Sequence, residues 1–192
     1  RILIPRSDLS LWSTIACDQF TSDPAYWEDV RRMTEGHPSA YHITLPEIYL
    51  KEGEEAASRR IASINATMRR YLQDDLFTAY DGMIYVERTL RDGGVRKGLL
   101  GLLEQYDYHK GASSYIRATE ETVLERIPPR VRIRQDASLE LPHLMLLTDD
   151  PEGLLIEEIA AHKADYETLY DFDLMKEGGH ITGYLLNDQA LA

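Results

Sequence analysis

Three arginines alternate along Arg130-Val131-Arg132-Ile133-Arg134, the period-2 pattern of a half-buried strand. On such a strand they would point to one side, about 6.6 Å apart. Guanidinium forks match the oxygens of phosphate and carboxylate. Arg130, Arg132 and Arg134, with Arg117 and Arg126 just upstream, are therefore candidates to hold an anion. Like charges on one side repel unless carboxylates or a bound anion intervene. The 33 Asp and Glu residues of the chain could equally neutralise a solvent-facing strand, so the pattern fits either an anion site or a salt-bridged surface.

A second kind of chemistry is expected where strands end and helices begin, because free N–H groups and divergent loops meet there. Two such junctions carry acidic residues, Asp18-Gln19 followed by Thr21-Ser22, and Asp149-Asp150. Asp23-Pro24 and Asp150-Pro151 both read as a capping aspartate followed by proline at the first helical position. That role absorbs Asp23 and Asp150 but leaves Asp18, Gln19 and Asp149 as loop candidates. The six histidines show no ligand spacing such as His-Glu-x-x-His, and the chain has one cysteine, so no dedicated metal site is expected. Cys17 lies in an apolar run and reads as a buried, unreactive core residue. Neither a Gly-x-Gly-x-x-Gly nor a P-loop is present.

The elements that must position these residues follow from periodicity. Trp12 to Cys17 reads as a buried strand, and Tyr26, Trp27, Val30 and Met33 recur at helical spacing after Asp23-Pro24. Ile43 to Leu50 suggests a short strand interrupted at Pro46. Ala57, Ile61, Ile64, Met68 and Tyr71 are spaced 4, 3, 4, 3, which predicts a long amphipathic helix from about Glu54. Its outer arginines Arg59, Arg60, Arg69 and Arg70 read as a solvated face. Met83 to Leu90 and Val95 to Tyr108 flank Arg91-Asp92-Gly93-Gly94, which predicts an antiparallel hairpin. A short helix is expected over Thr119 to Ile127, stopped by Pro128-Pro129, then the arginine strand and an apolar strand from Leu141 to Leu147. A helix through Leu155, Ile159 and His162 follows, then final strands at Tyr166 to Leu174 and His180 to Leu186, separated at Gly178-Gly179. The expected fold is mixed α+β: a mixed sheet with flanking helices and a hairpin near residues 83–108, in one domain spanning residues 1–192.

Composition bounds the partners. The chain of 192 residues is long enough to close one core, and its formal net charge of −12 opposes long-range attraction to nucleic acid or anionic membrane. No apolar run reaches the length of a membrane span. Cytoplasmic location follows from these features and the lone cysteine. The start at Arg1 and the helix-opening turn from Asn187 to Ala192 predict that this is the N-terminal portion of a longer protein.

Several short motifs together carry a resemblance: Ala16-Cys17-Asp18-Gln19-Phe20-Thr21-Ser22, Leu45-Pro46-Glu47, Tyr106-Asp107-Tyr108, Ile116-Arg117-Ala118-Thr119-Glu120, Arg126-Ile127-Pro128-Pro129-Arg130, and Leu141-Pro142-His143 before Asp149-Asp150-Pro151. Over nearly its whole length the sequence resembles the conserved bacterial family known as domain of unknown function 1015. Members of that family look about twice as long and carry a later Asp-Gly-x-His motif opening a helix. That motif is similar to one in the ParB-like group, which includes nucleotide-dependent kinases acting on free serine. The resemblance implies small-molecule phosphotransfer by the longer protein, with nucleotide and Mg²⁺ as its cofactors and the later segment packed on this domain. The isolated chain would then be inactive. It points to Arg117, Glu120, Thr122 and the loop at Asp18-Gln19, with Asp18 and Glu120 as candidate catalytic carboxylates and Thr122 joining the arginines as a candidate to hold the anion. The alternative is a non-catalytic module that binds a small anionic metabolite or supports a partner domain.

Overall fold

A computed structural model describes residues 1–15, 20, 22–46, 48, 49, 52–103, 116, 124, 127–141 and 144–187, with the side chain of Pro129 excepted. In chain order its elements are strand β1 (Ile2–Pro5), helix α1 (Leu9–Trp12), helix α2 (Pro24–Met33), a 3-10 turn (Ala40–Ile43) and helix α3 (Glu54–Gln73). Strands β2 (Phe77–Tyr80), β3 (Met83–Thr89) and β4 (Val95–Leu100) follow, then α4 (Ile127–Arg134), α5 (Ile156–Ala161), a second 3-10 turn (Lys163–Asp165), β5 (Glu167–Asp173) and β6 (His180–Leu186). The fold is mixed α+β. Its strands form a two-stranded sheet, β1-β2, and a four-stranded sheet in the order β4-β3-β6-β5. Every one of these pairings is antiparallel.

The hairpin expected from Asp92-Gly93-Gly94 is present, with Ile84 opposite Leu100 and Thr89 opposite Val95. Leu90 N–H donates to the Gly94 carbonyl at 2.7 Å and Gly94 N–H to the Asp92 carboxylate at 2.9 Å, closing the turn. The last two strands also form as expected, and β6 inserts beside β3 with Tyr85 opposite Tyr184. At the β5–β6 turn Gly179 holds φ at +92°, and an added Cβ would lie 2.2 Å from the Thr89 carbonyl oxygen. Only glycine meets both conditions. Within β6 the bare backbone of Gly183 makes room for the Tyr170 ring. Desolvation there pushes the Tyr170 hydroxyl up to about 12.

Helix α2 begins as its sequence implies: the Asp23 carboxylate accepts from Ala25 and Tyr26 N–H at 2.9 and 3.2 Å, with Pro24 in the first turn. The second Asp-Pro pair behaves differently. Pro151 lies in a turn rather than in a helix, and Asp150 reaches forward to accept from Leu154 and Leu155 N–H, both at 2.9 Å, ahead of α5. Those backbone donors hold its carboxyl below the usual range. The two junctions are thus not the same construction.

Three apolar runs expected as strands are not strands. Leu9–Trp12 is a short helix and residues 13–15 are irregular, although Ile15 is buried as expected. Ala40–Ile43 is a 3-10 turn and the described residues after it up to Tyr49 form no strand. Leu144 to Leu147 are in no strand and are exposed. Each is a short apolar run, for which periodicity cannot choose between strand, helix and extended coil. The expected helix over Thr119 to Ile127 lies almost wholly outside the described residues, as does the burial of Cys17.

Helix α3 matches its 4, 3, 4, 3 stripe: Ala57, Ile64, Met68 and Tyr71 are buried. Glu54 and Glu55 in its first turn and Arg70 near its end suit the helix dipole. Ile64, Met68 and Tyr71 pack with Trp12 and Ile43, and Leu139 and Leu141, just beyond α4, close over the same cluster. A second cluster joins Ile15, Tyr26, Trp27, Val30 and Met175. The outward face of β3 and β6 is instead a partnered polar network. The Glu87 carboxylate accepts from Tyr85 Oη at 2.7 Å and Lys163 Nζ at 2.6 Å. Burial opposes its ionisation, but these bonds outweigh that and hold the carboxyl below its ordinary value. His180, between Asp173 at 2.8 Å and Asp171, has its pKa raised by both carboxylates.

Candidate functional site

Arg130, Arg132 and Arg134 lie on helix α4, not on a strand. At 100° per residue Arg130 and Arg134 share a face, while Arg132 points about 200° away from Arg130. The same-side row of three guanidiniums is therefore corrected. Each residue has its own surroundings. Arg132 spans to α3, where Nη1 meets both oxygens of Glu54 at 2.9 Å and Nη2 donates to Ser58 Oγ at 2.9 Å. Arg134 pairs with Glu140 at 2.9 Å, and Arg130 is exposed. Asp149 is exposed in the loop before Asp150. Asp18, Gln19, Arg117, Glu120 and Thr122 lie outside the described residues.

Where Arg132 crosses to α3 a cleft of about 600 Å³ opens between the two helices. Its lining includes Ser58, Asn65 and Arg69 from α3, Arg132 from α4, and Gln135 and Asp136 just after α4. Ser58, Asn65 and Arg69 follow one another at intervals of seven and four, so they share a face of the helix. The face lies one residue round from the apolar stripe, which is why its middle member is drawn into the core. Asn65 is 4% exposed, and its Oδ1 has no hydrogen-bond partner. A buried amide oxygen without a donor costs about 1–3 kcal/mol. The oxygen has less than 1 Å² of accessible surface, so it is closed off from the cleft beside it.

The arginines of α3 divide. Arg59 pairs with Glu55 at 2.6 Å, and Arg60 pairs with Glu52 at 2.6 Å while its guanidinium lies 3.7 Å over the Tyr49 ring. Arg70 sits beside the Tyr71 ring, 5.8 Å from its centre. These three belong to the surface, as their alternation with acidic residues implies. Arg69 lines the cleft and, among the described residues, has no ion pair. Asp136 across the cleft has none either, and no ion pair joins Arg69 to Asp136. Sequence reasoning passed over Asn65, Ser58, Gln135 and Asp136. The signal was there in Ser58, Ala62, Asn65 and Arg69, which repeat the 4, 3, 4 spacing of the core stripe one residue later.

Among the described residues no group of three His, Cys, Asp or Glu could hold a metal ion, and no helix is long and apolar enough to cross a membrane. A family model described as Protein of unknown function (DUF1015) matches residues 2–192. No curated protein and no solved structure matched the chain.

Proposed function

The chain belongs to the DUF1015 family, whose description assigns no activity, and from that premise we propose that it binds a small acidic metabolite in the cleft between α3 and α4. What supports this reading is the lining of that cleft, where Arg69, which has no ion pair among the described residues, stands with Arg132, Ser58 and Asn65 as groups able to donate to an acidic ligand. The Arg69 guanidinium supplies the charge for an acidic group, and Arg132, with two of its N–H groups directed at Glu54 and Ser58, retains further donors. The reading is of binding without catalysis. Phosphotransfer would draw on Asp18, Arg117, Glu120 and Thr122, which lie outside the described residues.

Thermal unfolding with succinate, ethyl phosphate and inorganic phosphate tests the proposal, because a ligand that binds only the folded chain stabilises it by about 2.7 kcal/mol at a hundred times its Kd. A concentration-dependent rise in Tm that Arg69→Gln abolishes is expected. A chain unresponsive to every acid, or an unchanged response in Arg69→Gln, would falsify the reading.

A further inference from the structure

We propose that the segment Leu144 to Asp150 of one copy of this chain adds as an antiparallel strand to the open edge of β4 in a second copy, and that two such additions close a symmetric dimer. This stands independently of the cleft. Leu144, Met145, Leu146 and Leu147 are apolar at every position, the pattern of a strand buried on both faces, yet they form no strand and are between 51% and 88% exposed. Consecutive apolar side chains left in water mark a contact surface. Its counterpart lies at the border of the four-stranded sheet. There β4 pairs, among the described residues, with β3 alone, so its outward N–H and C=O groups form an open edge. The apolar run Leu99-Leu100-Gly101-Leu102-Leu103 continues along that edge and past it, with Leu102 95% exposed. Within one chain the two runs are left apart and in water. Because each chain carries both halves of the junction, a two-fold axis repeats it and closes the pair.

Charge selects the direction and the register. Near its start β4 carries the cations Arg96 and Lys97 and it runs into leucines, whereas the segment starts with its apolar run and ends in Thr148-Asp149-Asp150. Set antiparallel with Leu147 opposite Leu99, the segment brings Leu146 opposite Leu100 and Leu144 opposite Leu102. The same register brings Asp149 opposite Lys97 and Asp150 opposite Arg96. Apolar pairs and pairs of opposite charge are the favourable cross-strand neighbours. A parallel alignment of the two apolar runs brings no opposite charges together. Arg96 already faces Arg88 on its inner side, so an acid on its open side relieves a repulsion. Lys97 lies 3.4 Å from Glu157 of its own chain. These charges are solvated and contribute little attraction; they specify the partner strand, while apolar burial drives the association.

Sedimentation of the chain over a dilution series tests this, with a reversible dimer expected by about 0.1 mM. Met145→Asp on the segment and Leu102→Glu at the edge should each loosen that dimer at least about tenfold. Lys97→Glu and Asp149→Lys should each weaken it about threefold, because like charges then face each other, and the double variant should recover the affinity. All four positions are exposed, and unchanged unfolding midpoints of the dilute variants will show that they fold. The recovery in the double variant separates this junction from association through any other face. A chain that stays monomeric, a dimer indifferent to Met145→Asp and Leu102→Glu, or a double variant no tighter than the single ones overturns the proposal.

Discussion

Glu87 on β3 and Asn65 on α3 are both polar side chains set among apolar neighbours, and the fold treats them differently. Glu87 receives a hydroxyl from Tyr85 and an ammonium from Lys163, at 2.7 and 2.6 Å, and around it the sheet continues to pair its polar groups, His180 with Asp173 and Thr182 with Asp171. Asn65 is more deeply buried than Glu87, yet its oxygen has no partner, and nearby Arg69 and Asp136 lack ion pairs among the described residues. A polar group that is satisfied internally contributes to holding the fold. One left unsatisfied opposes folding, and its removal should stabilise the chain. Perturbing the two should therefore give opposite signatures.

The largest effect is expected in the sheet. Gly179→Ala combines a φ of +92° with a Cβ placed 2.2 Å from the Thr89 carbonyl oxygen, and should destabilise by roughly 3 kcal/mol. Urea unfolding will show it as a lowered midpoint at unchanged slope. Next comes Glu87→Ala, which strands Tyr85 Oη and Lys163 Nζ. With the Glu87 side chain 15% exposed and Lys163 42% exposed, partial solvation limits the loss to about 1–2 kcal/mol. Neither change should alter ligand binding in the cleft. A Glu87→Ala chain of wild-type stability would mean that the network is ornamental, and the contrast with Asn65 would collapse.

Much of this organisation could be read from the residues. The hairpin at Asp92-Gly93-Gly94, the α2 cap at Asp23 and the stripe of α3 all have local causes, because turn chemistry and periodicity act within a few residues. The failures have physical causes too. Arg130 to Arg134 alternate like a strand, yet Pro128-Pro129 fall in the opening turn of α4, where proline is well suited, and Val131 and Ile133 followed into the helix. Strands β1 and β2 are four residues each and pair across more than 70 positions, with Ile2 opposite Tyr80, so neither carries a signal of its own. The cleft was visible only as a pattern: Asn65 beside Ile64 announces a polar residue at the core boundary, but its missing partner is a tertiary fact. For Asp18, Gln19, Arg117, Glu120 and Thr122 the comparison lies outside the described residues.

Asn65→Leu tests the other side of the contrast. Removing an unsatisfied buried oxygen in favour of an apolar side chain of similar size should stabilise the chain by about 1 kcal/mol. A clear loss of stability in Asn65→Leu would show that the amide is satisfied in the folded protein, and the contrast with Glu87 would collapse.

The smallest effect concerns His180, which is largely solvated on the sheet but flanked by Asp173 and Asp171, with Thr182 also donating to Asp171 at 3.1 Å. The carboxylates raise its pKa, Asp173 first, and the imidazolium in turn helps to hold Asp171 below its usual range. A histidine whose pKa is higher folded than unfolded binds its proton more tightly in the native state. Its contribution is therefore fully present below the ordinary histidine pKa of about 6.5, and fades as pH rises through the folded value. Comparing wild type with His180→Gln isolates that contribution from the other groups that titrate. The wild type should be the more stable of the two near pH 6, with the difference shrinking as pH rises and the imidazole loses its charge. Added salt should narrow the gap at the lower pH, because the pair is exposed to solvent. A difference that grows with pH would reverse the assigned sign, and would mean that the two aspartates act on something other than the imidazolium.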